Sequence, residues 1–157
     1  MATRKVVKVG DQNLRKKSKE VKNFDEDLWQ LLDDMKETMY ANDGMGLAAP
    51  QVGVLRRIVV VDVNNMFVEL INPQIVYQEG KDIEKEGCLS VGPFKGRVER
   101  PYKITVKAVD RYGYPFSLTG EKWLARCICH ELDHLDGILF IDKTLDKKEY
   151  LEKGGRI

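Results

Sequence analysis

Histidine is almost missing from this 157-residue chain: there are two, His130 and His134, four positions apart. Cysteine is nearly as scarce, with Cys88, Cys127 and Cys129 only. An odd count of three makes a poor disulfide framework, so the thiols read as small core residues or as reactive or metal-binding thiolates of a reducing compartment. No apolar run approaches a membrane span, and the start, Met1-Ala2-Thr3-Arg4-Lys5, lacks the apolar core of a secretory signal. Asp11 and Glu20 interrupt the basic N-terminal stretch and serine is sparse, which favours the cytoplasm over organelle import. A net charge of +1 offers no global attraction to DNA or to a membrane. No repeat, low-complexity tract or linker divides the chain, so one domain, 1–157, is expected.

What is present is patterned. Phe24, Leu28, Leu31, Leu32, Met35 and Met39 recur at helical spacing, with Asn23 or Asp25 as cap and Asn42-Asp43-Gly44 as the stop. The β-branched run Ile58 to Val63 predicts a strand, and Val68 to Ile71 beyond Asn64-Asn65 its hairpin partner. Gln74 to Gln78 and Ile83 to Leu89 are further strand candidates. Ile104, Val106 and Ala108 alternate with polar neighbours, and Arg111-Tyr112-Gly113 turns that strand into Tyr114-Pro115-Phe116. A second helix is expected from about Glu121 to Leu135, capped by Thr119 and stopped by Gly137. The order predicts an α+β fold, with antiparallel or mixed strands packed around a central metal-binding helix. Residues 1 to 22 carry a local excess of positive charge and 23 to 46 of negative charge; the two could pack together, although a solvated face is the ordinary explanation.

The chemistry is concentrated in Cys129-His130-Glu131-Leu132-Asp133-His134-Leu135-Asp136-Gly137. On a helix this spacing puts both imidazoles on one face, where they can grip one metal ion while the glutamate between them reaches a water activated there. A catalytic site of this type needs a third protein ligand and an open position. Cys88, in Glu86-Gly87-Cys88-Leu89-Ser90 beside a permissive glycine, is the better candidate. Asp142, Asp146 and Glu149 have no helical context to recommend them. Cys127 shares the histidine face but lies beneath the His130 level, as a pocket-lining or core residue, and Cys129 points nearly opposite. The loop Gly44-Met45-Gly46-Leu47-Ala48-Ala49-Pro50-Gln51-Val52-Gly53 lets backbone approach a ligand and pair with it as a strand would.

Gly44-Met45-Gly46-Leu47-Ala48-Ala49-Pro50-Gln51, Glu86-Gly87-Cys88-Leu89-Ser90 and His130-Glu131-Leu132-Asp133-His134-Leu135-Asp136-Gly137 resemble, in order, the three signature motifs of peptide deformylase. The resemblance runs from the first helix through Ile138 to Lys143. It implies a metal-dependent hydrolase that removes the N-formyl group from the formyl-methionine of nascent polypeptides and releases formate. By the same resemblance Cys88, His130 and His134 are the metal ligands and Glu131 the general acid/base. Gln51 and the Leu89 N–H face the developing oxyanion. Gly44, Met45, Gly46, Glu86 and Gly87 flank the peptide, and Cys127 and His130 line the methionine pocket. The implied cofactor is one divalent ion per chain, ferrous iron before zinc, nickel or cobalt. The implied partners are formyl-methionyl peptides and, transiently, the ribosome. The chain departs from the usual pattern at Val91-Gly92-Pro93, where the proline commonly comes first, at Asp11-Gln12-Asn13-Leu14-Arg15, where a proline is common, and in its short C-terminus. Two rival readings share some of these features. A zinc endopeptidase would need a downstream third ligand, and a non-catalytic metal binder would have Glu131 or Gln51 replaced.

Overall fold

The computed structural model describes residues 2–157. Helix α1, Glu26–Ala41, begins where the Asp25 side chain accepts a hydrogen bond from the Leu28 N–H, with Glu26 and Asp27 in a first turn that favours negative charge. Its buried face, Leu28, Leu31, Leu32, Met35 and Met39, packs on Leu47, Ile58, Val60 and Ile71. The helix ends at Asn42, and Asp43 takes a positive φ of 55° in the turn that follows.

A five-stranded antiparallel sheet comes next. It is formed by β1 (Gly46–Ala48), β2 (Ile58–Val63), β3 (Met66–Glu79), β6 (Lys103–Val109) and β7 (Pro115–Glu121), in the order β1-β2-β3-β6-β7. Asn64 and Asn65, at φ 57° and 63°, make the two-residue turn between β2 and β3 that suits a tight hairpin. The two short strands expected over 68–71 and 74–78 are one long strand, β3. It bends through register shifts around Asn72, whose side chain bonds both Val21 N–H and Val21 C=O. The turn at Asp110 to Tyr114 joins β6 to β7. A separate hairpin of β4 (Asp82–Cys88) and β5 (Gly92–Arg100) stands apart from the large sheet.

Helix α2, Trp123–Leu135, carries His130, Glu131 and His134. It packs on β1, β2 and β7 through Ala125, Ile128, Leu132 and Leu135. The cap expected at Thr119 is not there. Thr119 is paired with Thr105 within the sheet, hydroxyl to hydroxyl at 2.8 Å, and Lys122 at φ 56° turns the chain into the helix without a side-chain cap. At the other end Gly137 takes φ 75°, and a Cβ there would collide with the Arg15 backbone. Two short helices, α3 (Phe140–Lys143) and α4 (Lys147–Glu152), close the β4–β5 side. The oppositely charged N-terminal segments do meet: Arg4 and Ala2 both bond Asp34, and the Arg4 N–H also donates to Thr38. No helix among the described residues is long and apolar enough to cross a membrane.

Candidate metal and catalytic site

The site lies where three chain segments converge on the same face of α2. Among the described residues strand β1 is an edge of the large sheet, paired with β2 alone. Across from it runs β4, paired among those residues on one side only. Between them is a cleft of about 530 Å³ lined by Gly44, Met45 and Gly46 on one wall, Glu86, Gly87, Cys88 and Leu89 on the other, and Cys127, His130 and Glu131 at its floor. Gly46 is where β1 approaches α2, and a Cβ there would sit 2.6 Å from Glu131 Oε2 and 2.9 Å from Cys127 Sγ. Any side chain at 46 would push the strand off the floor.

Cys88 Sγ and one nitrogen each of His130 and His134 fall within 4.8 Å of one another, a spacing that one metal ion can bridge. His134 Nε2 stands 3.4 Å from Cys88 Sγ. His130 is oriented from behind, its Nδ1 2.9 Å from Glu86 Oε1, which leaves the opposite nitrogen for the cleft. Phe140 stacks on the His130 ring at 6.0 Å between centroids. Cys127 is outside this thiol–imidazole group; its thiol contacts the Met45 carbonyl at 3.5 Å. Cys129 packs in the apolar cluster under the sheet.

The charges fit a cation. Burial alone would strip the proton from His130, but Glu131, Cys88 and Glu86 together hold it well above the ordinary histidine range. His134 goes the other way, pushed well below that range by burial and by the nearby His130, Arg100 and Arg15 charges. The acidic groups around His130 thus favour positive charge at that ring, while His134 is kept neutral. Glu131 is 4% exposed, and burial pushes its carboxyl up to about 7. Its Oε1 has no hydrogen-bond partner among the described residues, as expected of a group whose partner is a water or a substrate proton.

Gln51 is buried with its amide locked. The Ala48 N–H donates to Oε1 at 2.9 Å, so Nε2 points to Ser90 Oγ at 3.2 Å and Cys88 Sγ at 3.6 Å. Its donor end therefore faces the sulfur side of the cleft. Leu89 follows Cys88 in a turn closed by a bond from the Val91 N–H to the Cys88 carbonyl at 3.0 Å.

Glu86 lies in the wall expected to flank the peptide, with its carboxylate turned inward. Its segment lines the cleft, but its carboxylate is 5% exposed and accepts from Arg100 at 2.8 and 2.9 Å and from Arg126 at 2.6 Å. Burial would raise its pKa, yet bonds from Arg100 and His130 hold it well below the usual carboxylate range. Arg100 continues to Asp133 at 2.6 Å. Arg100 and Arg126 lie outside the motifs, and Ser90, Asp133 and Phe140, although within the resembling segments, were given no role there. Two signals did exist: Arg126 precedes His130 by one helical turn, and Arg100 occupies the inward phase of β5 after Val98, where an arginine requires a buried acid.

A family model described as polypeptide deformylase matches residues 3–150. The chain is 58% identical over 145 residues to the peptide deformylase of Caldicellulosiruptor bescii, spanning 92% of this chain and 87% of that one. The peptide deformylase of Thermoanaerobacter pseudethanolicus is 53% identical over 152 residues, spanning 95% and 96%. Among solved structures, a peptide deformylase from Legionella pneumophila superposes with a TM-score of 0.88 at 43% identity, covering 97% of this chain and 98% of that one.

Proposed function

The chain belongs to the polypeptide deformylase family, and from that premise we propose that it hydrolyses the N-terminal formamide of formyl-methionyl chains through the cleft between β1 and β4. The single observation that carries this reading is the convergence of Cys88, His130 and His134 with the partnerless carboxylate oxygen of Glu131 in one peptide-sized cleft.

Cys88, His130 and His134 would hold one divalent ion, which supplies a Lewis acid and lowers the pKa of water so that it attacks at neutral pH. Everything else falls to the chain itself. Glu131 takes the proton of the attacking water and returns it to the departing methionyl amine, a task open to its buried Oε1, which has no partner among the described residues. Gln51 Nε2 and the Leu89 N–H donate to the formyl oxygen as it gains charge, and one such donor contributes about 3 kcal/mol to the transition state. The unpaired edges of β1 and β4 bind peptide backbone as added strands would. Gly44, Met45, Gly46 and Gly87 form that track, and Glu86 supports it from behind by fixing His130. The apolar floor at Cys127 takes the methionine side chain, whose flexible thioether needs no polar partner.

Ferrous iron is the ion this reading prefers, because the likeness to peptide deformylases implies it; by ligand chemistry alone zinc, nickel and cobalt suit the same donors. The partners follow from the substrate: formyl-methionyl nascent chains, met transiently at the ribosome, with no DNA or membrane binding. All of residues 1–157 form the one catalytic unit.

The test is formate release from a formyl-methionyl tripeptide, with metal analysis of the same anaerobic sample. Stoichiometric metal, loss of metal in Cys88→Ala and loss of activity in air support the full reading. No formate release from metal-loaded protein sinks it, and air-stable activity with iron bound sinks only the choice of iron.

A further inference from the structure

The N-terminal stretch Val7-Lys8-Val9 has no part in the reading above, yet it touches both segments that carry the oxyanion donors. The Val7 N–H donates to the Gln51 carbonyl at 2.7 Å, and the Val9 N–H donates to the Ser90 carbonyl at 2.8 Å. Between them, Lys8 Nζ donates to the Leu89 carbonyl at 2.7 Å. Gln51 and Ser90, which are 39 positions apart, are thus tied to residues two positions apart.

The place of the Lys8 bond matters more than its strength. Leu89 and Ser90 are the central residues of the turn closed by Val91 and Cys88, and the peptide between them takes no part in that closing bond. Such a central peptide plane distinguishes one turn type from another and rotates while the closing bond is kept. Its carbonyl is the atom that Lys8 holds. Rotation there would swing Ser90, whose Oγ accepts from Gln51 Nε2 and so helps to set the aim of that amide.

The geometry points to Lys8 as a positioning residue for deformylation, pinning the Leu89–Ser90 peptide so that Ser90 Oγ keeps the Gln51 amide aimed at the formyl oxygen. This inference rests on the proposed oxyanion role of Gln51. An exposed ammonium–carbonyl bond adds little to global stability, because water competes for both groups. A misaimed donor, in contrast, acts directly on the transition state.

Lys8→Met and Lys8→Arg in the full, metal-loaded chain test it. Lys8→Met should lower kcat by about tenfold, part of the 100-fold or more lost when a donor is removed outright. KM should stay within about twofold, since the interaction is made in the transition state. Metal content and the thermal midpoint should match the parent, and Lys8→Arg, which restores a cationic donor, should recover most of the rate. An unchanged kcat in Lys8→Met overturns the inference, as does a fall shared with metal loss or left unrescued by arginine. Gln51→Ala separates the two layers: unchanged kcat there removes the oxyanion reading and Lys8 with it, whereas a large loss there beside an inert Lys8→Met removes Lys8 alone.

Discussion

Helices α1 and α2 each pack an apolar face against the same sheet, but α2 also buries a second face, toward the cleft, that is opposite in kind. Under α1 lie Leu28, Leu31, Leu32, Met35 and Met39 against Ile58, Val60 and Ile71, an apolar cluster in which each contact is non-directional. On the cleft side of α2 lie Arg126, His130, Glu131 and His134, each less than 9% exposed. Arg126 bonds Glu86 and the Val98 carbonyl and His130 bonds Glu86, which Arg100 also holds, whereas Glu131 Oε1 and His134 Nδ1 have no partner among the described residues. An apolar cluster loses energy in proportion to the volume removed. A buried polar network loses it by stranding partners, so its members are not independent.

The widest gap between the two regions should appear with Glu131→Gln. It preserves shape and leaves fold and metal intact, yet removes a proton-transfer group that contributes about 100- to 10,000-fold, roughly 3 to 5 kcal/mol on the barrier. Formate-release kinetics beside metal analysis check it. Near-parental turnover would take Glu131 out of the chemistry, and metal loss would place it among the ligands.

Arg100→Met tests whether the α2 side behaves as a network. Removing the arginine leaves Glu86 and Asp133 buried with fewer partners, which costs about 3 to 5 kcal/mol of stability for a buried pair broken from one side. Through Glu86 it also loosens His130, so metal affinity should fall by about 10- to 100-fold. Adding Glu86→Gln should cost less than its effect alone. Additive losses in denaturant unfolding and metal titration would show that these residues are independent after all.

Leu32→Ala is the matched probe on the α1 side. Leu32 is fully buried, and its truncation should cost about 2 to 5 kcal/mol in unfolding free energy. Activity per folded molecule and metal affinity should be unchanged. A loss of kcat in the folded fraction would mean that the two regions are coupled through β1 and β2.

The same contrast explains how much could be read from the sequence. Helix α1 is legible because apolar periodicity, an aspartate cap and an Asn-Asp-Gly stop all agree within residues 25–44. The candidate site is legible as three contiguous motifs, because a reacting cluster needs particular atoms from short, locally fixed segments. What holds the motifs was not legible. Arg100 and Arg126 are common residue types whose meaning depends on a buried Glu86 that spacing does not reveal. Glu86 itself reads as a residue flanking the peptide, since nothing local says that its carboxylate turns inward. Thr119 fails as a cap because sheet pairing with Thr105 overrides its local preference. The one long strand β3 reads as two because Asn72 and Pro73 carry turn chemistry that the structure absorbs as a bend.

The smallest predicted effect concerns Asp34, a buried polar residue on α1. It is 5% exposed and accepts from the Ala2 N–H at 2.8 Å, Gln30 at 2.7 Å and Arg4 at 3.0 Å. Burial pushes its pKa up, but those three donors, with the Arg4 charge, bring it below the ordinary aspartate value of 3.8. A folded pKa below the unfolded one means that ionised Asp34 stabilises the protein above the unfolded value. That contribution is lost as pH falls through the lower folded value. Arg4 is partly solvated, so the contribution is about 1 kcal/mol or less. Asp34→Asn should therefore be slightly less stable than the parent at pH 7, and the two should converge as the pH is lowered below about 4. Urea unfolding of both proteins across pH 3.5 to 7 measures the gap, about 1 kcal/mol at most. A gap that stays constant across that range would show that the Ala2, Gln30 and Arg4 bonds do not depend on the charge of Asp34. Formate release at pH 7 should be the same in both proteins, because Asp34 anchors the N-terminal residues to α1 and does not enter the polar network around α2.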